Sequence, residues 1–128
     1  MKDYKAQYLD PRWQKKRLEI LNRDNFTCQM CSDKEKTLHI HHRRYISGRD
    51  IWDVPNELLV TFCAGCHETE KFEMEEYMPL LIEQLKDKFF GDDIRELAHG
   101  INSLRIKNKT SEEVAIIINK FLHTLEDI

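Results

Sequence analysis

Two Cys-x-x-Cys pairs, Cys28-Gln29-Met30-Cys31 and Cys63-Ala64-Gly65-Cys66, stand 31 residues apart and restrict the fold of this chain more than any other feature. Disulfides are disfavoured in a reducing compartment. The first residues, MKDYKAQYLDPRW, are polar and charged with no apolar signal core. No apolar run approaches the ~18 residues of a membrane span. A cytoplasmic chain without a membrane segment is the expectation. Two cysteine pairs on tight turns then suit one tetrahedral Zn2+, bound by Cys28, Cys31, Cys63 and Cys66 through thiolates at about 2.3 Å. Two other readings stay open. One is four buried free thiols. The other is a redox pair, which needs only one Cys-x-x-Cys, usually between a strand and a helix. A zinc ion would fasten both ends of the enclosed segment and replace core that so short a segment cannot supply.

The enclosed segment contains LHIHHRRY, residues 38–45, and with it half of the chain's 6 histidines. His39 and His41 alternate with Leu38 and Ile40 as along a strand, and His42 then breaks the alternation. A solvated, histidine-rich strand end is one reading. A metal and proton-transfer site is the other. Adjacent strand residues face opposite ways. For His41 and His42 to serve one ligand, the strand must therefore twist or end at His42. The Arg-Arg junction before a long loop is consistent with that.

The other elements follow from local pattern. Asp10-Pro11 predicts a helix start, with Asp as N-cap and Pro in the first turn. Trp13, Leu18, Ile20 and Leu21 give that helix a broad apolar stripe through about Leu21. TLHIHH and ELLVTF are short strands separated by a loop punctuated with Gly and Pro. A helix is expected to begin near Cys66 and to kink or end at Pro79. Beyond it, Leu81, Ile82, Leu85 and Phe89 form one stripe. Asp92 or Asp93 is placed to cap a helix carrying Ile94, Leu97, Ala98, Ile101 and Leu104. Thr110 and Glu113 form a capping box ahead of Val114, Ile117, Ile118, Phe121, Leu122 and Leu125. At 128 residues this is one domain, or one small domain with an extension. Charge divides along the chain: residues 1–67 carry a net +3 and residues 68–128 a net -6.

The order helix, Cys-x-x-Cys, strand ending in His-His, loop, strand, Cys-x-x-Cys-His, helix resembles the HNH endonuclease family in its zinc-bound, four-cysteine branch. The residues that carry the likeness are RLEILNRDNFTCQMC, LHIHHRRY and LLVTFCAGCHETEK, within about residues 12 to 71. The resemblance implies an α+β fold: a small ββα-metal finger with a structural four-cysteine zinc site and an N-terminal helix over 1–71. Residues 72–128 form an acidic helical extension outside the likeness. It also implies hydrolysis of DNA phosphodiester bonds with one divalent ion, usually Mg2+ or Mn2+. Matched position by position, His42 is the general base, and His41 and His67 are ligands of the catalytic ion. The family's central Asn falls at Leu58 here. Asn56, two residues early, can orient the base, or the carbonyl of a loop residue can, or the role is vacant.

The chemistry fits those residue types. A cation offsets charge on the phosphoryl and leaving oxygens. A neutral imidazole with a pKa near ~6.5 takes a proton from water at neutral pH. Arg43, Arg44 and Tyr45, with Lys15 and Lys16 on the first helix, are candidate contacts to nucleic-acid phosphates, though ordinary solvated residues would look the same. His39 reads as an exposed strand residue and Trp52 as a hydrophobic plug in the long loop. The tail helices either pack on the finger or pair two copies as a homodimer. Against the endonuclease stands a second reading from another class, a zinc-stabilised nucleic-acid-binding module that lacks catalysis. The displaced Asn and the acidic tail favour it; His41, His42 and His67 favour the enzyme.

Overall fold

A computed structural model describes residues 3–106 and 110–125 of the chain. It is mixed α+β, with a two-stranded antiparallel sheet and five α-helices among the described residues. The chain forms two compact units, residues 1–77 and 78–128.

The first unit opens with a single helical turn, α1 (Tyr4–Gln7), capped by the Asp3 carboxylate. Helix α2 (Pro11–Arg23) starts as its sequence requires: the Asp10 side chain accepts from the Arg12 amide and Pro11 occupies the first turn. It ends in a Schellman motif. Asn25 takes φ 55°, its amide donates to Asn22 O, and the Phe26 amide donates to Leu21 O. Asn tolerates that left-handed conformation better than most residues. Trp13, Ile20 and Leu21 are buried, but Leu18 is not. Five residues on from Trp13, Leu18 falls about 140° round the helix, off the stripe that i+7 and i+8 continue.

Strands β1 (Leu38–His42) and β2 (Leu59–Cys63) pair with Leu38 opposite Cys63 and His42 opposite Leu59. The residues just before β2, Asn56–Leu58, form a 3-10 turn rather than extended strand. Because paired residues share a face, Leu38, Ile40 and His42 lie with Leu59, Thr61 and Cys63. His39 and His41 lie on the other face with Phe62 and Val60. Ile40 and Leu59 join Trp13, Ile20, Leu21, Ile51 and Val54 in the main core, while Val60 and Phe62 pack with Cys28 and Cys63. Burial on both faces explains why β2 is apolar except at Thr61.

The Arg23 guanidinium locks α2 to the start of β2. It donates to both Asp24 carboxylate oxygens, to Asn56 O at 2.8 Å and to Leu59 O at 2.7 Å. Asp24 in turn accepts from the Thr61 amide. Burial pushes the Asp24 carboxyl up, but the bonds from Arg23 and Thr61 outweigh it and hold the pKa below the usual range.

Helix α3 (Ala64–Lys88) begins immediately after β2 and runs through Pro79 without ending there, contrary to one sequence expectation. Proline deletes one helical hydrogen bond, and the residues on either side continue the ladder. Helix α4 (Gly91–Ile106) begins before either expected cap. Asp93 is its third residue and reaches back to accept from the Phe90 amide. Helix α5 (Ser111–Leu125) has the full capping box: the Thr110 amide donates to Glu113 and the Glu113 amide to Thr110 Oγ1. Leu81, Ile82, Phe89, Leu97, Ile101, Ile117, Ile118 and Leu122 are exposed. The side chains of Leu104, Phe121 and Leu125 lie outside the described residues. No described helix is long and apolar enough to cross a membrane.

Candidate functional site

Local folding brings the two cysteine pairs together. Cys28 and Cys31 sit in a tight turn closed by Ser32 N donating to Cys28 O, with Ser32 at φ 66°. The Gln29 amide donates to Thr61 O and so stitches this turn to β2. The second pair straddles the β2-to-α3 junction, where the Cys66 amide donates to Cys63 Sγ at 3.4 Å, a sulfur cap on the helix.

All four sulfurs lie within 4.8 Å of one another, and Cys31 Sγ is 3.8 Å from Cys63 Sγ. Four thiolates about 2.3 Å from a tetrahedral zinc would be about 3.8 Å apart. The cysteines are free thiols, and the cluster is one that can hold a metal such as zinc. Its titration points the same way. Burial raises the Cys28 thiol, but backbone N–H groups of Cys31, Cys63 and Met30 outweigh it and bring the pKa down to about 6. Hydrogen bonding with Cys63, then burial, push Cys66 up to about 12. The Cys28 thiolate forms readily, and a dication would offset the cost of ionising Cys66.

Four histidines, His39, His41, His42 and His67, line one cleft of about 610 Å3, together with Arg17, Arg43, Lys71 and Glu75. The cleft takes lining from every residue of Leu38–Arg43, from α2 and from α3. It therefore runs along the unpaired edge of β1, where Arg17 donates to the Leu38 carbonyl at 3.3 Å. That position resolves the difficulty posed by neighbouring histidines. His41 and His42 keep to opposite faces of the sheet, yet both line the same cleft.

His42 is buried at 6% exposure, stacked on Tyr45 (ring centroids 4.5 Å apart) and on Trp13 (5.2 Å). Its Nε2 is 2.9 Å from the Ile51 carbonyl. A carbonyl only accepts, so Nε2 carries the proton and Nδ1 holds the lone pair in the neutral ring. Burial lowers the His42 pKa, partly countered by the bond to Ile51. The loop carbonyl orients His42; Asn56 does not, since its amide donates to Glu19 on α2. Ile51 is itself held: its amide donates to Gln7 Oε1 at 2.9 Å, while Gln7 Nε2 donates to Asp50.

On the opposite face His41 stacks on Phe62 and meets the His67 ring edge-on at 5.1 Å. Burial, then repulsion from His67 and Arg43, lower the His41 pKa to about 4. Burial first, then His39 and Lys71, lower that of His67. Both rings are neutral at pH 7 and offer lone pairs. These nitrogens are a poor match for Mg2+ and Mn2+, which favour oxygen donors, and a good one for zinc and its neighbours.

Other expected contacts distribute unevenly. Arg43 lines the cleft, whereas Arg44, Lys15 and Lys16 do not; Arg17, further along α2, does. The Tyr45 hydroxyl is bonded to Tyr8 at 2.7 Å, so its ring walls His42. Trp52 packs against the main core under the Arg12 guanidinium, 4.2 Å from the ring centre. Sequence reasoning missed Gln7, Tyr8 and Tyr45 as the setting of His42. An aromatic every fourth residue, Tyr4 and Tyr8, was the available signal. No family model, curated protein or solved structure matches the chain.

Proposed function

We propose that residues 1–77 form a metal-dependent endonuclease that hydrolyses DNA phosphodiester bonds, as the resemblance to HNH nucleases implies. The observation that carries this reading is the pairing, in one cationic cleft, of an oriented base with two neutral imidazoles. His42 has Nε2 fixed on Ile51 and Nδ1 available to take a proton from water. His41 and His67 stand edge to face beside it. A divalent ion held by those two supplies charge to offset that on the phosphoryl and leaving oxygens. Arg43, Arg17 and Lys71 neutralise backbone phosphates along the cleft. Zinc in the cysteine quartet ties the chain entering β1 to the chain leaving β2, at the open end of the hairpin, and takes no part in the reaction.

The second reading is a zinc-stabilised nucleic-acid-binding module without catalysis. The enclosure of His42 between Trp13 and Tyr45 favours it. Supercoiled plasmid incubated with the protein and a series of divalent ions separates the two. Nicking that requires added ion and is lost in His42→Ala supports the nuclease. DNA retention in a gel shift with no nicking under any ion supports the module.

A further inference from the structure

His39, exposed on the sheet face that it shares with His41, also meets a ring from α3. His39 Nδ1 lies 3.1 Å from His67 Nδ1, and the two rings meet edge-on with centroids 5.3 Å apart. His41 meets the same His67 ring at 5.1 Å. One imidazole from α3 is thus flanked by two from alternate positions of β1. Two nitrogens each bound to one zinc at about 2.0–2.1 Å lie about 2.8–3.4 Å apart, for angles between 90° and tetrahedral. The observed 3.1 Å falls in that window.

We propose that His39, His41 and His67 form a three-imidazole site for a late first-row transition dication, with Zn2+ the first candidate. His39 is its third ligand. The inference rests on reading His41 and His67 as ligands of one ion, and it names the class of that ion. Among the described residues only the cysteine quartet has all its ligand atoms within 4.8 Å of one another. His41 therefore closes on the His39–His67 pair by turning its ring when the ion binds. In the metal-free protein one ring's Nδ1–H donates to the Nδ1 of the other; when the ion binds, that proton moves to Nε2 of its own ring and leaves both Nδ1 lone pairs for the metal. Three neutral nitrogens favour zinc, cobalt or nickel over magnesium and manganese. They also leave a position open for water or a phosphate oxygen.

The test uses the full chain carrying one equivalent of zinc in the cysteine quartet. A second equivalent is titrated calorimetrically against a competing chelator. Wild-type protein should take it up. His39→Ala, a change at an exposed strand position, should weaken that second step by roughly 100-fold or more, since even outer-shell partners of metal ligands are worth 10–100-fold. His99→Ala, on α4, should leave it unchanged. In 15N spectra of wild type, the Nδ1 signals of His39 and His67 should both shift with the second equivalent. The site is overturned if wild type binds no second zinc, if His39→Ala binds it as tightly as wild type, or if the His39 nitrogen does not respond. Plasmid cleavage in the same samples keeps the two readings apart. A second zinc that needs His39 without nicking supports the site and removes the nuclease. Nicking in wild type without a second zinc does the reverse.

Discussion

Replacing Gln7 by leucine removes a side chain that touches no substrate and still sets the geometry of His42. Gln7 Oε1 accepts from the Ile51 amide at 2.9 Å, and the Ile51 carbonyl accepts from His42 Nε2 at 2.9 Å. One peptide unit thus sits between Gln7 and the imidazole. Ile51 is 1% exposed, so water cannot readily take over when the acceptor is lost. A buried donor left without a partner costs about 1–3 kcal/mol. The lost bond to Asp50 adds little, because that carboxylate is only half-buried and can turn to water. For a domain of 60–100 residues each kcal/mol moves Tm by about 4–8 °C. With its bond in the unit of residues 1–77, Gln7→Leu should lower that unit's Tm by about 4–24 °C, read by circular dichroism. Gln7→Glu keeps the acceptor for Ile51 and should lose less. Under the nuclease reading, Gln7→Leu should also lower the rate while leaving metal content at the cysteine quartet unchanged. A leucine variant that unfolds within about 1 °C of wild type would refute the claim that Gln7 holds the Ile51 peptide.

Cys28→Ser or Cys66→Ser should lose both zinc and much of the folded state of residues 1–77, with elemental analysis and circular dichroism as the measures. His42→Ala should retain zinc and DNA binding yet lose roughly 10²–10⁴-fold in rate, whereas His41→Ala should lose affinity for the catalytic ion and recover in part with excess metal; equal behaviour of the two would contradict their separate roles. Metal-free protein should lose stability as pH falls from 6.5 to about 4. Above that window His41 is neutral whether folded or not, and within it only the unfolded chain takes up the proton; denaturant titrations that show no decline would overturn the burial argument. If α4 and α5 pair two copies, light scattering should give twice 15.4 kDa, and Ile117→Glu should return the monomer.

Chemistry written in short spacings was legible in the sequence. Cys-x-x-Cys twice, Asp-Pro ahead of a helix and Thr-x-x-Glu each specify contacts within a few residues, and each contact forms. The β1–β2 hairpin was legible because its strands read as short apolar or alternating runs between turn signals. What remained hidden depends on distances of tens of residues. Nothing around Ile51 announces that its carbonyl meets a histidine nine residues earlier while its amide meets a glutamine at position 7. Asn56 looks like a partner of His42 because it stands near the expected position. Glu19, on a helix far away in sequence, claims it instead. His39 is exposed, as its place in the alternation suggests, but alternation says only which face a side chain takes; α3 supplies His67 on that face. Leu18 and Pro79 show the converse, where a local rule overstates its reach.

The cysteine quartet is unevenly sheltered: Cys28 and Cys63 are buried, Cys66 is half-covered and Cys31 is exposed. An oxidant or alkylating agent approaching an ion held there would meet Cys31 first. Cys63 Sγ lies 3.8 Å from it, and a disulfide would draw the two sulfurs to about 2.05 Å. That contraction takes two of four ligands from the ion at once, one from each cysteine pair. The order of attack is thereby fixed by burial, and the strand that carries His39, His41 and His42 comes to depend on the reducing power of its surroundings.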